Sequence, residues 1–297
     1  MFHEGREFSY EFCELCQCIR LLNPVVDPSE LYPNHYHSFT KRVEEHYSKP
    51  SERKNLELLK KRFEREKDFL PDQPVLSLLR RLNIQKQDQI ADIGCGEGEL
   101  LYLLRELGFV KTEGFDPFIE KSVCYSNGLK IQKTDLFSIQ DTFDWILLNH
   151  SFEHMMEPIP VLLKLRDLMK EPQGRLLIRI PLVNQAWKLY REYWYQLDPP
   201  RHVFLYSIRG LAQLLQKTGL EIEQTLFDST VAQITLSEKN FYRFNPKDGK
   251  YFLKRIFKIP RKSLLKRRVA KWNQQGLGDQ AAFVIKKQKP LQFDPPR

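Results

Sequence analysis

Gln89-Ile90-Ala91-Asp92-Ile93-Gly94-Cys95-Gly96-Glu97-Gly98-Glu99-Leu100-Leu101 is the stretch that decides how this chain is read. Its apolar start reads as a strand, the three alternating glycines as a tight turn, and Leu100 to Leu107 as a helix. Such a unit forms the mouth of a nucleotide-type site. Bare glycines let a ligand approach the backbone, and a helix N-terminus offers unpaired N–H groups. Many glycine turns only close a bend, so the flanking sequence must name the ligand.

Downstream, strands and helices alternate. Strands are expected at Gln89–Gly94, Thr112–Asp116, Lys130–Asp135, Phe143–His150, Gly174–Pro181, Glu221–Phe227 and Ala281–Lys287. Helices are expected at Leu100–Leu107, Ile119–Asn127, Ile159–Met169 and Ile208–Thr218. This predicts an α/β fold with a mostly parallel sheet covered on both faces. Residues 51–88 read as a helical lead-in: Leu56, Leu59 and Phe63 share one face, and Pro71 and Pro74 precede a second short helix, Val75 to Leu82. Residues 1–50 read as irregular, apart from the strand-like alternation of Phe8, Tyr10 and Phe12. Cys13-x-x-Cys16 is half of a zinc knuckle. Cys18 and His3 are poorly spaced to complete it, so a flap with unliganded thiols is the favoured reading and no metal ligands are assigned.

The chain has 297 residues, 41% hydrophobic and 29% charged, as expected for one large α/β domain with appendages. No apolar run is long enough for a transmembrane helix. Glu4, Glu7, Glu11 and Glu14 exclude a signal-peptide core, and five cysteines do not suggest a disulfide scaffold, so a cytoplasmic location is expected. The net charge of +9 is local: Lys250 to Lys271 holds ten basic residues and no acidic ones. Phe252, Ile256 and Ile259, then Leu265, Val269 and Trp272, give this segment apolar faces. It reads first as helices packed on their own domain, next as a contact of 250–272 with an anionic membrane surface, and last as a nucleic-acid contact.

Asp116 ends the second predicted strand and Asp135 the third, where open parallel sheets bind ligands. An acid at the first position suits both ribose hydroxyls; one at the second could accept from the exocyclic amine of adenine. Glu97 within the turn would repel a pyrophosphate, and no Lys-Ser/Thr pair follows the glycines as a phosphate loop requires. An acidic turn instead fits a ligand carrying a sulfonium and an ammonium.

Here the residues resemble a known family. Asp92 to Gly98, with Asp116 and Asp135, is similar to the cofactor signature of class I S-adenosylmethionine-dependent methyltransferases. Phe143 to His150, Ser151-Phe152-Glu153-His154-Met155-Met156-Glu157-Pro158, Gly174 to Pro181 and Gly278-Asp279-Gln280 extend it. The Glu-His…Pro turn resembles the small-molecule branch, with its ubiquinone-type and sugar-modifying enzymes. The resemblance implies a Rossmann-like, seven-stranded sheet with an antiparallel last strand, over residues 89–297. It implies S-adenosylmethionine as cofactor, with Gly94, Gly96 and Gly98 beside the methionine part, Asp116 at the ribose and Asp135-Leu136 at the adenine. Asn149 and His150 would lie under the sulfonium, and Asp92, Cys95 and Pro117 join the same set. His150 is equally a capping or packing residue, and Glu153 and His154 are expected to fix the turn.

Residues 184–207 would form a lid, with Trp187, Tyr190, Tyr193, Trp194 and Tyr195 offering aromatic faces to a sugar or lipid-linked acceptor. Residues 240–275 would form a basic helical insertion. His202 is the candidate base that takes a hydroxyl proton; anchoring the lid is its other reading. The expected reaction is O-methylation of a small-molecule, sugar or glycan-type acceptor. An RNA methyltransferase and a non-catalytic cofactor-binding protein are the rivals, although Asn149-His150-Ser151-Phe152 is not an amine-methylating Asn-Pro-Pro-Tyr motif. Relatives with a Cys-x-x-Cys ahead of the domain often carry two pairs, forming a zinc ribbon; here there is one.

Overall fold

The computed structural model describes residues 7–25, 31, 43–65, 73–244 and 261–289. Near the start, β1 (Tyr10–Phe12) and β2 (Ile19–Leu21) pair antiparallel. The expected irregular segment therefore contains a hairpin, and it also ends in a helix, α1 (Val43–Ser48). Next come α2 (Pro50–Arg65) and α3 (Pro74–Arg81), each opening on a proline that fits the first helical turn.

The central unit follows: β3 (Ile90–Ile93), α4 (Glu99–Glu106), β4 (Thr112–Phe115), β5 (Val123–Cys124), β6 (Lys130–Gln132), β7 (Trp145–Asn149), α5 (Pro158–Leu168) and β8 (Arg175–Pro181). Then come α6 (Gln185–Tyr190), β9 (Phe204–Leu205), α7 (Ile208–Lys217), β10 (Leu220–Phe227), α8 (Val231–Phe244), α9 (Arg261–Gln274) and β11 (Gln280–Lys287). The main sheet has the order β10-β11-β8-β7-β3-β4-β6-β5. β3, β4, β6, β7 and β8 run parallel, and β11 is antiparallel to both β8 and β10, as expected.

The sheet has eight strands rather than seven because the helix expected at Ile119–Asn127 does not form. Polar side chains there satisfy turns instead: Ser122 Oγ accepts from the Lys133 N–H at 2.9 Å, and Asn127 Oδ1 from that of Leu129 at 3.2 Å. Gly128 then closes a bend at φ +81°, and Val123-Cys124 adds an antiparallel edge strand to β6.

The inner strands read as near-continuous apolar runs because both faces are covered. In β8, Leu176, Ile178 and Ile180 face α5 and α7, while Leu177 faces α3 and α4. In β11, Phe283 and Ile285 take the first face and Val284 the second. The period-two alternation of β structure thus sorts each strand between two cores.

Of the basic segment, residues 245–260 lie outside the described residues, with Phe252, Ile256 and Ile259 among them. Val269 and Trp272 of α9 are buried against Ile234 of α8, with Leu265 partly buried beside them. The apolar face of this helix is spent on the protein itself, so it is not available to a membrane surface. Among the described residues no helix is long and apolar enough to cross a membrane.

Candidate functional site

A cavity of about 900 Å³ opens at the carboxyl ends of β3, β4 and β7. On one side it is lined by Asp92, Gly94, Cys95, Gly96, Asp116 and Pro117. Asp135, Leu136, Asn149 and His150 continue the wall, and His202 faces them from the far side. One sequence-assigned residue, Gly98, is not on the wall. It caps α4 at φ +77°, and a Cβ there would meet Ile131 Cδ1 at 2.4 Å. Its role is close packing in a left-handed conformation that only glycine adopts without strain.

The acids at the glycine turn differ in what they hold. Asp116 accepts the Gly96 N–H on Oδ2 and the Phe118 N–H on Oδ1, both at 2.8 Å, so it ties the turn to the end of β4. Each oxygen keeps a second lone pair for a ligand. Asp92 is 3% exposed, and its Oδ1 has no hydrogen-bond partner. Burial, reinforced by the neighbouring Asp116, pushes its carboxyl up to about 8. Burial also pushes the Asp116 carboxyl up, against the hydrogen bonds it accepts. Asp135 is exposed and caps the turn Leu136–Ser138, accepting from the N–H of Phe137 and of Ser138 and from the Ser138 hydroxyl. The Ser138 hydroxyl bond is the main reason its carboxyl lies below the usual range.

Behind Asn149 runs a buried polar chain. Arg179 Nη1 donates to Asn149 Oδ1 at 3.0 Å and Arg179 Nε to Asp228 Oδ2 at 2.5 Å. Gln280 donates to Asp228, and Gln233 donates to Gln280. Asn149, Gln233 and Gln280 all reach the cavity. His150 has φ +55°, which costs a non-glycine residue roughly 1–2 kcal/mol. Its N–H donates to the Arg179 carbonyl at 2.9 Å and its ring lies 3.1 Å from Glu153 Oε1.

Glu153 and His154 fix the turn after β7, as expected: the Glu153 carbonyl accepts the Val203 N–H, and His154 Nδ1 donates to the Arg201 carbonyl at 2.9 Å. They also meet His202. The Glu153 side chain is 0% exposed, and its Oε1 lies 3.9 Å from His202 Nε2. His202 is 8% exposed and donates from Nδ1 to the Gln196 carbonyl at 2.7 Å. Burial opposes the Glu153 anion, but the hydrogen bond and charge of His150, then His154 and His202, hold it down to about 2. Burial outweighs Glu153 at His154, whose imidazole drops to about 4 and is neutral at pH 7.

The expected lid is only partly a lid. Tyr195, Gln196, Asp198, Arg201 and His202 face the cavity. Trp194 is 1% exposed and donates to Asp279 Oδ2 at 3.2 Å. With Trp187 and Tyr190 it packs on Ile19 and Tyr10 of the N-terminal hairpin, while Tyr193 packs on Phe241. Most of the aromatic faces expected to meet an acceptor are therefore spent on packing. Gln196, Asp198, Arg201 and Gln233 are not assigned to the site by the sequence, and Gln280 is marked there only as the entry to the last strand. The run Asp198-Pro199-Pro200-Arg201-His202 is a signal for two of them; nothing local marks Gln196 or Gln233.

The wall suits S-adenosylmethionine. An orphaned buried acid beside a glycine turn calls for a ligand that brings a cationic donor, and the cavity is large enough for a nucleoside and a second molecule. The chain matches the model of the family described as methyltransferase domain over residues 53–225, and it belongs to that family. It is a class I methyltransferase with S-adenosylmethionine as methyl donor. No curated protein matches the chain. Several solved structures resemble it. The Haloferax volcanii complex between the Trm112 methyltransferase activator and a putative methyltransferase is 14% identical, covering 84% of this chain and 100% of that one at TM-score 0.49. Magnesium protoporphyrin IX methyltransferase from Synechocystis PCC 6803 with bound SAH is 18% identical, covering 52% and 74% at TM-score 0.42. The O-methyltransferase of a Brevibacillus brevis trans-AT PKS multienzyme, in complex with S-adenosyl-L-homocysteine, is 17% identical, covering 68% and 67% at TM-score 0.40.

Proposed function

We propose that the chain methylates an oxygen of a small, uncharged or cationic acceptor held between the Tyr195–His202 segment and the Met155-Met156 turn. The observation that carries this reading is His202. Its Nδ1 proton is committed to the Gln196 carbonyl, so Nε2, in the wall of the cavity, is the ring nitrogen left to meet an acceptor. S-adenosylmethionine, when bound, supplies an electrophilic methyl group. Asp92, Asp116, Asn149 and His150 would hold it at the strand ends, with Asp92 answering its positive charge. His202 activates the acceptor hydroxyl through Nε2 as the new O–CH3 bond forms and the S–CH3 bond breaks. Glu153 beside it favours positive charge on the acceptor side. Transfer is otherwise a matter of in-line placement, which the narrow wall supplies by orientation.

The lining disfavours a polyanion. Among the described residues it carries Asp92, Glu97, Glu99, Asp116, Asp135, Glu157 and Asp198 against the single guanidinium of Arg201. That argues against RNA, whose backbone needs basic neighbours. A sugar hydroxyl remains compatible, although Tyr195 is the one lid aromatic left to stack on it. The test is transfer of labelled methyl from S-adenosylmethionine to a panel of phenols, sugars and RNA. Labelled small molecules are expected. Label in RNA alone would overturn the acceptor class, and tight S-adenosylhomocysteine binding without transfer to any acceptor would favour a non-catalytic role.

A further inference from the structure

The acceptor wall contains more than one activating group. Glu153, His154 and His202 each bring one ligand atom into a cluster in which all three atoms lie within 4.8 Å of one another. Both imidazoles are held in the same way. His154 Nδ1 lies 2.9 Å from the Arg201 carbonyl and His202 Nδ1 lies 2.7 Å from the Gln196 carbonyl. A carbonyl oxygen can only accept, so both Nδ1 atoms carry a proton and Nε2 is the ring atom each imidazole leaves open to a metal ion. This is the outer support that metal-binding histidines characteristically have: it fixes tautomer and ring orientation. The carboxylate is fully buried, and its Oε2 has no hydrogen-bond partner.

We propose that Glu153, His154 and His202 bind a divalent first-row transition ion whose open positions face the acceptor cavity. Two imidazoles and one carboxylate suit Zn²⁺, Co²⁺ or Fe²⁺ better than Mg²⁺, which prefers oxygen ligands and water. Bonds of about 2.1 Å hold ligand atoms no more than about 4.2 Å apart, so closing the set takes side-chain shifts below an ångström. His202 Nε2 and Glu153 Oε1 are already 3.9 Å apart. Asp198 Oδ2 is equally near His202, but it is paired with Arg201 and stays outside the set.

This inference rests on the reading of the cavity as an oxygen-methylating site and deepens it: the His202 lone pair acts through the ion instead of taking the proton itself. An acceptor hydroxyl on the ion gives its proton to solvent. The oxygen then forms the O–CH3 bond as the S–CH3 bond breaks and its electron pair stays on sulfur.

The experiment titrates chelator-stripped full chain with Co²⁺ in a Cys13→Ser/Cys16→Ser background, which removes the thiol pair of the hairpin. One Co²⁺ per chain with a visible ligand-field spectrum is expected, and His154→Ala or His202→Ala should weaken it at least tenfold. Because buried-site variants can misfold, a second readout uses the unaltered protein: on adding Zn²⁺, the ring nitrogen signals of His154 and His202 shift together. Unchanged ring signals, or Co²⁺ binding that disappears with the cysteines, overturns the site. Full methyl transfer to a phenol by stripped protein overturns the metal's role while leaving the proposed function standing. Stoichiometric Co²⁺ with no methyl transfer to any acceptor supports the site and overturns the proposed function.

Discussion

Asp92 offers the sharpest test of the cofactor side. Its carboxyl sits at about 8 in the folded chain, against an ordinary value of 3.8, because it is buried next to Asp116. Between those values the folded state holds a proton that the unfolded state has lost. Unfolding therefore releases a proton, and stability falls as pH rises from about 4 to about 8. At pH 7 the gap amounts to roughly three pH units, or on the order of 4 kcal/mol against folding. A cationic ligand reverses the preference by pairing with the ionised form. With a folded value of about 8, Asp92 carries about 0.9 proton at pH 7 and about 0.1 at pH 9, and binding S-adenosylmethionine should expel that amount. The assay is calorimetry in buffers of differing ionisation enthalpy. Asp92→Asn supplies the blank, since the ligand's own amino group titrates nearby. The wild-type protein should release close to one proton more than the variant at pH 7, with the difference vanishing by pH 9. The variant should also be more stable without ligand at pH 7. Equal proton release by both proteins at pH 7 would refute the assignment of Asp92 as the buried acid that answers the cofactor's charge.

Three further outcomes are expected. His202→Ala should lower turnover by roughly 10²-fold or more while S-adenosylhomocysteine affinity stays unchanged; near-normal turnover would remove His202 from the chemistry. Gly98→Ala should cost about 2–4 kcal/mol by thermal denaturation, combining left-handed strain with the clash at Ile131. Adding Ile131→Ala should relieve the steric part and leave the backbone part. Arg179→Met strands the Asp228 carboxylate in the buried chain behind Asn149 and should cost about 3–5 kcal/mol in urea unfolding. A second change, Asp228→Asn, should recover much of that loss.

Much of the fold could be read from local pattern because doubly covered strands are written as apolar runs. Ile90–Ile93 and Arg175–Pro181 needed no tertiary knowledge. Ile119–Asn127 misled because its apolar residues recur at helical spacing, while Ser122, Asn127 and Gly128 form turns that outweigh that period. The cofactor side was legible for the same reason as the sheet: Asp92, Asp116 and Asp135 sit at fixed offsets from strand ends. The acceptor side was not. Trp187 and Trp194 carry the same letters whether they face a ligand or a hairpin, and the meeting of Glu153 with His202 joins residues from separate turns. Gln233 and Gln280 enter the site through Arg179 and Asp228, a chain of contacts that no window of sequence contains.

The N-terminal hairpin has a consequence for how the protein is made. β2 is completed by β9, with Ile19 paired to Leu205, and the Tyr10 hydroxyl donates to the Leu197 carbonyl across 187 positions of chain. Cys16 receives the Ser207 hydroxyl, and Cys18 fills the space over Gly210. On a ribosome the hairpin is therefore synthesised well before β9 and finished late, waiting with Ile19 and Leu21 uncovered until residue 207 has emerged. The acceptor wall, which includes Tyr195–His202, would set only when this long loop closes.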